Sequence, residues 1–487
     1  MAFQIPLIIR GRVILEQDLA FGGRNGGVDF VTADVKKHLN ELVLREPSKL
    51  SDLHALKFEE ILDYLEELAA HLDFRANEYL QESYELCKQT SGLSPEVIEH
   101  YYKSLPGMYN RHYVREHADN CIGVKYLDGW VERQMASGCV ANIRAFGVRS
   151  VHVLAGNVPA PSAMGVMRNA ITRSDAIFKT PSNDPLTAAA IARTMCDKLP
   201  GHPITRHLSI AYWKGGDIAV EQAIYTPENI DKIVAWGGQA SMKHITQYIQ
   251  PGIDLVAMDP KLSSAIIGAD GFADDATMRQ VAERLAIDIG YLNQQACASA
   301  RVVYIQTGTG ADGLRKANEF GKLLYDAIQA MPAHASGPVP RLTPNLAEEL
   351  QTLRLTSDEH KVFGGDRRGA IIVSQTDQPV DFAPLLTDRV ANLVPFDDID
   401  LPIRSVNSYT QTIGVYPDSL KQSIRDRCVF NGAQRMTSLG YMLKAAMAGP
   451  HDGIEPVRRM CKWIVDETND PAHVTLLTAN AGLAGDA

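Results

Sequence analysis

Apolar positions three and four apart mark the first strong element of the chain. Phe58, Ile61, Leu62, Leu65, Leu68 and Leu72 fall on one face of the segment 52–73, with Glu59, Glu60, Glu66 and Glu67 off it. This spacing predicts one amphipathic helix. A second helix is predicted over 77–90. A third is predicted from Ser94-Pro95, where serine can cap and proline suits the first helical position. The first 50 residues are mixed, and the run from Gly22 to Gly27 reads as a loop or turn. Residues 1–110 are therefore expected to form an N-terminal helical region with no site of its own.

From about residue 148 the texture changes to short apolar runs alternating with helical ones. Strands are predicted at Ser150–Leu154, Ala176–Lys179, His207–Trp213, Lys232–Trp236, Leu255–Met258 and Ala265–Gly268. Helices are predicted at 162–172 and 186–199, and from about 239. Strands separated by helices imply parallel βαβ units and an α/β fold, in which ligands sit beyond the carboxyl ends of the strands. A helix over 275–290 leads through Tyr291–Arg301 into a strand at Val302–Gln306, and a second α/β unit follows to about 440 with a helix at 312–330. The proline-rich, polar stretch 331–346 reads as an irregular surface segment.

Composition narrows the class. The chain has 487 residues, 45% hydrophobic and 22% charged, which implies more than one domain. A formal net charge of −10, with no basic stretch, argues against nucleic acid as the main partner. No apolar run approaches a membrane span, and the apolar patch near Met1 is too short for a signal peptide. Seven scattered cysteines at no CxxC spacing suggest neither a metal site nor a disulfide framework. A cytoplasmic protein with reduced thiols is expected.

Four places can carry chemistry. Cys297 lies between a helix and a strand among Ala296, Ala298, Ser299 and Ala300, where a carbonyl can approach the sulfur. A thiolate both attacks and leaves acyl groups well, although a lone cysteine is more often a small buried apolar residue. Asn157 follows a strand in a rigid Gly-Asn-Val-Pro turn, where its amide can face a developing oxyanion or merely tolerate an awkward backbone. Lys179 ends a strand, where it can hold a ribose or phosphate or simply be solvated. Trp236-Gly237-Gly238 precedes a helix and allows a pyrophosphate to approach its N-terminus. His244, on that helix, is a weaker candidate for a base, and a surface position suits it better.

Gly156-Asn157-Val158-Pro159, Lys179-Thr180-Pro181, Ala235-Trp236-Gly237-Gly238 and Asn293-Gln294-Gln295-Ala296-Cys297 occur in this order. In that order they resemble the aldehyde dehydrogenase superfamily across roughly 110–450, and within it the fatty-acyl reductases of bacterial luciferase operons, the LuxC type. Gln411-Thr412 and Asn431–Arg435 add to the likeness. The resemblance implies a Rossmann-type cofactor domain at 111–272 and a catalytic α/β domain at 273–445. It implies a C-terminal segment, 446–487, returning to the cofactor domain or to an oligomer interface. It makes Cys297 the nucleophile and Asn157 an oxyanion donor. Lys179 is then a ribose contact, and Gly237 and Gly238 lie near the pyrophosphate. A homo-oligomer is implied as well.

Departures from the family pattern sharpen the expectation. Aldehyde-oxidising members carry a water-activating glutamate where this chain has Ala257, and Asp259 is not placed to replace it. NAD-selective members often carry a glutamate where this chain has Ser182, which would not repel a 2′-phosphate, so NADPH is implied. The arginine after the nucleophile comes one residue early, at Arg301. The expected activity is NADPH-dependent reduction of an acyl thioester, presented on coenzyme A, a carrier or another enzyme, through an acyl-Cys297. The alternatives are an aldehyde dehydrogenase that forms acids, or a catalytically silent nucleotide-binding scaffold.

Overall fold

The computed structural model describes residues 2–22, 29–356, 358–444, 448–470, 472 and 474. Two seven-stranded sheets carry the chain. The first contains β1 (Leu7–Ile9), β2 (Arg12–Ile14), β3 (Arg149–Val153), β4 (Asp175–Lys179), β5 (Leu208–Ala211), β6 (Lys232–Trp236) and β7 (Asp254–Met258) in the order β7-β6-β3-β4-β5-β1-β2. The five strands β3 to β7 are parallel, while β1 is antiparallel to β5 and β2 to β1. Apolar residues on both faces explain the unbroken hydrophobic runs of these strands.

The helices divide between those faces. Phe178 and Ile210 pack with α1 (Phe58–His71), α2 (Glu78–Thr90), α3 (Pro95–Ser104), α4 (Arg111–Cys121), α5 (Ala160–Thr172) and α6 (Thr187–Lys198). Val151, Ile177 and Ile233 pack on the other side, with α7 (Ile218–Ile224) and α8 (Gln239–Thr246).

The second sheet contains β8 (Leu262–Ile267), β9 (Ala300–Ile305), β10 (His360–Gly364), β11 (Ala370–Ser374), β12 (Val390–Pro395), β13 (Thr410–Tyr416) and β14 (Arg435–Ser438), in the order β10-β11-β12-β9-β8-β13-β14. Only β10 is antiparallel to its neighbour. Ala265, Val303 and Ile305 meet α9 (Asp275–Gly290) and α10 (Ala311–Gln329) on one face. A separate antiparallel sheet joins Val131–Gln134, Val140–Phe146 and Lys462–Thr468, so the C-terminal strand returns to the middle of the chain. Among the described residues no helix is long and apolar enough to cross a membrane.

Several local expectations need correction. Among the described residues before 33, the regular elements are strands rather than helices, including the buried Leu7-Ile8-Ile9, a run too short to show a period. Gly22 ends one of those strands, and residues 23–28 of the expected glycine turn lie outside the described residues. The helix expected over 52–73 is two helices. Lys57 is extended at φ −77° and ψ 155°, and its N–H donates to Glu60 Oε2 at 2.7 Å, so a glutamate counted on the solvent face begins a new helix. The change of sheet falls at Asp259-Pro260-Lys261, not near 272, because β8 belongs to the second sheet. Two adjacent apolar strands look alike in sequence whichever sheet they join. The 331–346 segment is not a surface segment at its centre, where Ser336 and Val339 are buried, and helix α11 (Pro344–Thr356) begins before its end.

Candidate active site

The connection between α9 and β9 turns through three consecutive left-handed residues, Leu292, Asn293 and Gln294, with φ of 54°, 50° and 63°. Such residues cost about 1–2 kcal/mol each, so partners must hold them. Gln294 is fully buried. Its Nε2 donates to Ala300 O at 2.8 Å, and its Oε1 accepts from Val390 N–H at 2.9 Å. The segment misread as surface supplies two more ties: Leu292 N–H donates to Ala335 O at 2.9 Å, and Gly337 N–H to Asn293 Oδ1 at 2.9 Å. Gln295 Nε2 donates to Asp388 Oδ1 at 2.9 Å, and Ser263 Oγ on β8 donates to Cys297 O at 2.8 Å.

Cys297 is thus held on a rigid loop at the mouth of β9. Among the described residues it is the only exposed cysteine, while Cys196 is half-buried and the other five are buried. The thiol stands in a recess, accessible yet crowded by protein. Burial pushes it above its ordinary pKa and Asp452 adds to this, while a hydrogen bond from Gln411, the Ala298 backbone N–H and the charge of Arg301 work the other way. Gln411, on β13, places Nε2 3.2 Å from Cys297 Sγ.

Asn157 approaches from the first sheet. It lies between β3 and α5, and its Nδ2 donates to Gln295 O at 2.7 Å, two residues before the cysteine. Gly156 is required beside it, since a Cβ there would lie 2.2 Å from Asn183 Oδ1. Ala257 lies on β7 and carries no carboxylate, and Asp259 is exposed, with its carboxylate 3.9 Å from Lys261 Nζ.

The carboxylate that does reach the cysteine's surroundings is Asp452. It sits in a turn closed by His451 and Ile454, and its Oδ1 accepts from Gln411 Nε2 at 2.5 Å. His451 stacks on Trp236 at 6.1 Å, and the Arg168 guanidinium lies 5.7 Å from the same ring. Arg168 is 3% exposed, and its Nε and Nη1 have no hydrogen-bond partner. Burial lowers its pKa to about 10, so it remains a cation near neutrality. Sequence reasoning placed Trp236 beside a cofactor, assigned no role to Gln411, and missed Arg168, His451 and Asp452.

A second group of side chains lies beyond the carboxyl end of β4. Lys179 Nζ stands 5.4 Å from the Trp213 ring centroid. Burial lowers Lys179 to about 8, partly offset by Glu221. Lys179, Ser182, Trp213 and Lys214 line a cavity of about 280 Å³. Next to this region, α7 and α8 flank a cavity of about 490 Å³ lined by Ile218, Tyr225, His244 and Tyr248. Its wall is fixed by the buried Glu221, whose Oε2 meets His244 Nε2 at 2.7 Å and accepts from Tyr248 OH at 2.9 Å. His244, the weaker candidate for a base, therefore belongs to this wall, with its ring turned toward Glu221 of α7.

Gly238 caps α8 with open space around its Cα, and Gly237 precedes it. From Gln239, the first residue of α8, a largely apolar cavity of about 590 Å³ runs past Pro260 and Lys261 to Arg301, four residues after Cys297. Among the described residues no cluster of His, Cys, Asp and Glu could hold a metal ion.

Three comparisons bear on this arrangement. Residues 53–463 match the family model described as acyl-CoA reductase (LuxC). A long-chain acyl-protein thioester reductase of Aliivibrio fischeri is 30% identical over 351 residues, which cover 71% of this chain and 68% of that protein. Among solved structures, a lactaldehyde dehydrogenase superposes with a TM-score of 0.73 at 16% identity, covering 96% of this chain and all of that one. The NADP-dependent glyceraldehyde-3-phosphate dehydrogenase of Bacillus halodurans, solved with NADP, gives 0.70 at 15% identity over 96% of this chain and 99% of its own. The fold is therefore the aldehyde-dehydrogenase-like α/β fold.

Proposed function

The chain belongs to the LuxC acyl-CoA reductase family, and from that premise we propose that it reduces an acyl thioester to the aldehyde, with NADPH as reductant and Cys297 as acyl carrier. One observation carries the reading. The only exposed thiol among the described residues sits between the Gln411 amide and the Asn157 loop, while the position expected to hold a water-activating carboxylate is Ala257.

The Cys297 thiol gives up its proton and its sulfur adds to the thioester carbonyl. The carrier sulfur leaves and takes up a proton, so acyl group and proton both balance. In this reading the oxyanion is stabilised by the Cys297 backbone N–H and by the second hydrogen of Asn157 Nδ2, whose first goes to Gln295 O. Bound NADPH supplies the hydride. The carbon–sulfur bond then breaks, the aldehyde departs, and Cys297 is left as thiolate. With alanine at 257 the acyl-enzyme lacks the base that would direct it to acid.

The residues beyond β4 and β6 fit the cofactor. Gly238 leaves room at the N-terminus of α8 for a pyrophosphate, and a Cβ on the preceding Gly237 would crowd Ser241 at 3.0 Å. The small cavity brings Lys179 and Lys214 together with a neutral Ser182, a set suited to a ribose 2′-phosphate. The first sheet with α7 and α8 is then the cofactor unit, and the second sheet with α9 and α10 the catalytic unit. Gln239, Lys261 and Arg301, along the cavity between α8 and β9, would line the space for the nicotinamide half. The exposed Ile464 and Val465 on the edge strand Lys462–Thr468 suit pairing with a second copy.

The test is mass spectrometry of the intact protein after mixing with long-chain acyl-CoA without NADPH, followed by aldehyde assay on adding it. Wild type should gain one acyl group on Cys297 and release aldehyde. Cys297→Ala should do neither, and retained turnover in that variant would sink the reading.

A further inference from the structure

Gln411 Nε2 lies 3.2 Å from Cys297 Sγ and 2.5 Å from Asp452 Oδ1. An amide nitrogen carries two hydrogens and can serve two acceptors, whereas the amide oxygen donates nothing. The Asp452 side chain is 3% exposed, and an ionised carboxylate accepts only. Turning the Gln411 amide over would set its oxygen against that carboxylate and against the sulfur. The sense of the amide is therefore dictated by a residue that does not itself touch the thiol.

We propose that Gln411 is a catalytic residue that donates a hydrogen bond to the Cys297 sulfur, and that Asp452 is the positioning residue that holds its amide in that sense. The proposal rests on the reading of Cys297 as acyl acceptor. The donor serves whenever sulfur carries negative charge, before attack and again when the aldehyde leaves.

Asp452 acts on the thiol in two opposed ways. Its charge repels a thiolate, while its grip on Gln411 favours one. The other charged groups around the sulfur are Arg301 on β9 and Arg435 on β14. His451 stands 3.6 Å from Asp452, and burial keeps its imidazole below the ordinary pKa.

Two substitutions separate the effects. Asp452→Asn removes the charge but keeps an oxygen that accepts from Gln411. Asp452→Ala removes both. The readout is the pH dependence of Cys297 alkylation by iodoacetamide, followed by peptide mass spectrometry on the full chain without substrate or cofactor. Asp452→Asn should titrate below wild type. Asp452→Ala should titrate about one pH unit above Asp452→Asn, reacting about tenfold more slowly below its midpoint. That gap should vanish in a Gln411→Ala background. Gln411→Ala alone, which keeps the whole turn at 451–454, should raise the midpoint by about one unit.

Coincident profiles for Asp452→Asn and Asp452→Ala, or a gap that persists without Gln411, would overturn the proposal. Turnover by Cys297→Ala would instead overturn the acyl-acceptor reading. The alkylation series needs no turnover, so the two failures are distinguishable.

Discussion

Gln294→Ala should disable Cys297 without touching it. The substitution strands the buried Ala300 C=O, which Gln294 Nε2 now serves at 2.8 Å, and leaves Val390 N–H, now shared between Gln294 Oε1 at 2.9 Å and Thr387 O at 3.0 Å, with Thr387 alone. Stranding that carbonyl costs about 1–3 kcal/mol. Against this stand three consecutive left-handed residues, together holding about 3–6 kcal/mol of strain. The strain is at least as large as the tie that is lost, so removing the glutamine tips the loop toward relaxing its backbone. A shift of about 1 Å in a reacting atom is enough to cost about a hundredfold in rate. The assay is the rate of acyl-enzyme formation from acyl-CoA, read by rapid quench and intact mass, beside a thermal melt. Acylation should fall about a hundredfold while the protein still melts cooperatively. Gln294→Glu should behave similarly, since a carboxylate still accepts from Val390 but offers nothing to Ala300 O. Acylation within about threefold of wild type, with the expected loss of melting temperature, would refute the claim that this side chain holds the nucleophile in place.

Other outcomes follow from the same geometry. Ser182→Glu puts a carboxylate beside the proposed 2′-phosphate; unit charges about 5 Å apart at an effective dielectric near 20 repel by about 3 kcal/mol, so kcat/KM for NADPH should fall at least about tenfold relative to NADH after screening. An unchanged ratio would remove Ser182 from cofactor choice. Lys179 titrates at about 8 in the free chain, and only its cation attracts phosphate. The affinity advantage of NADPH over NADH should therefore shrink as pH rises from 7 to 9, and a flat ratio measured by fluorescence titration would contradict this. Asp288 is fully buried and raised by burial to about 7, although it accepts from Gly440 and Met442 N–H. Because its folded pKa exceeds its unfolded value, it binds a proton in the fold that the unfolded chain releases. Its stabilisation is complete below about pH 4 and is lost as pH rises to 7, by about 4 kcal/mol. Asp288→Asn should flatten that part of the stability profile in urea melts, and an unaltered slope would count against it.

What the sequence discloses is largely local. The strand ending in Lys179 follows from its own short apolar run, and the helix 275–290 from the spacing of its own residues. The link between Cys297 and Asn157 became legible only through the order of four motifs, since nothing in either segment points to the other. Asp452 gave no local signal at all. It reaches Gln411 because the turn at 451–454 lies over the site, and His-Asp-Gly reads in sequence as any turn does. The 331–346 segment misled for a related reason. Prolines and polar residues usually mark a surface, but here backbone groups of Ala335 and Gly337 satisfy the turn before the nucleophile. Burial of polar backbone against polar backbone leaves no hydrophobic pattern to read.

The antiparallel pairing of β1 with β5 sets Ile9 opposite Ser209, about two hundred residues later in the chain. During synthesis, at about 5–20 residues per second, Leu7-Ile8-Ile9 would wait roughly 10–40 seconds before its partner strand emerges. For that interval a short, wholly apolar strand can pair only with the adjacent β2, and its other edge stays open. The open edge of β1 during that interval makes the yield of folded chain sensitive to how the nascent chain is handled, apart from the stability of the finished sheet.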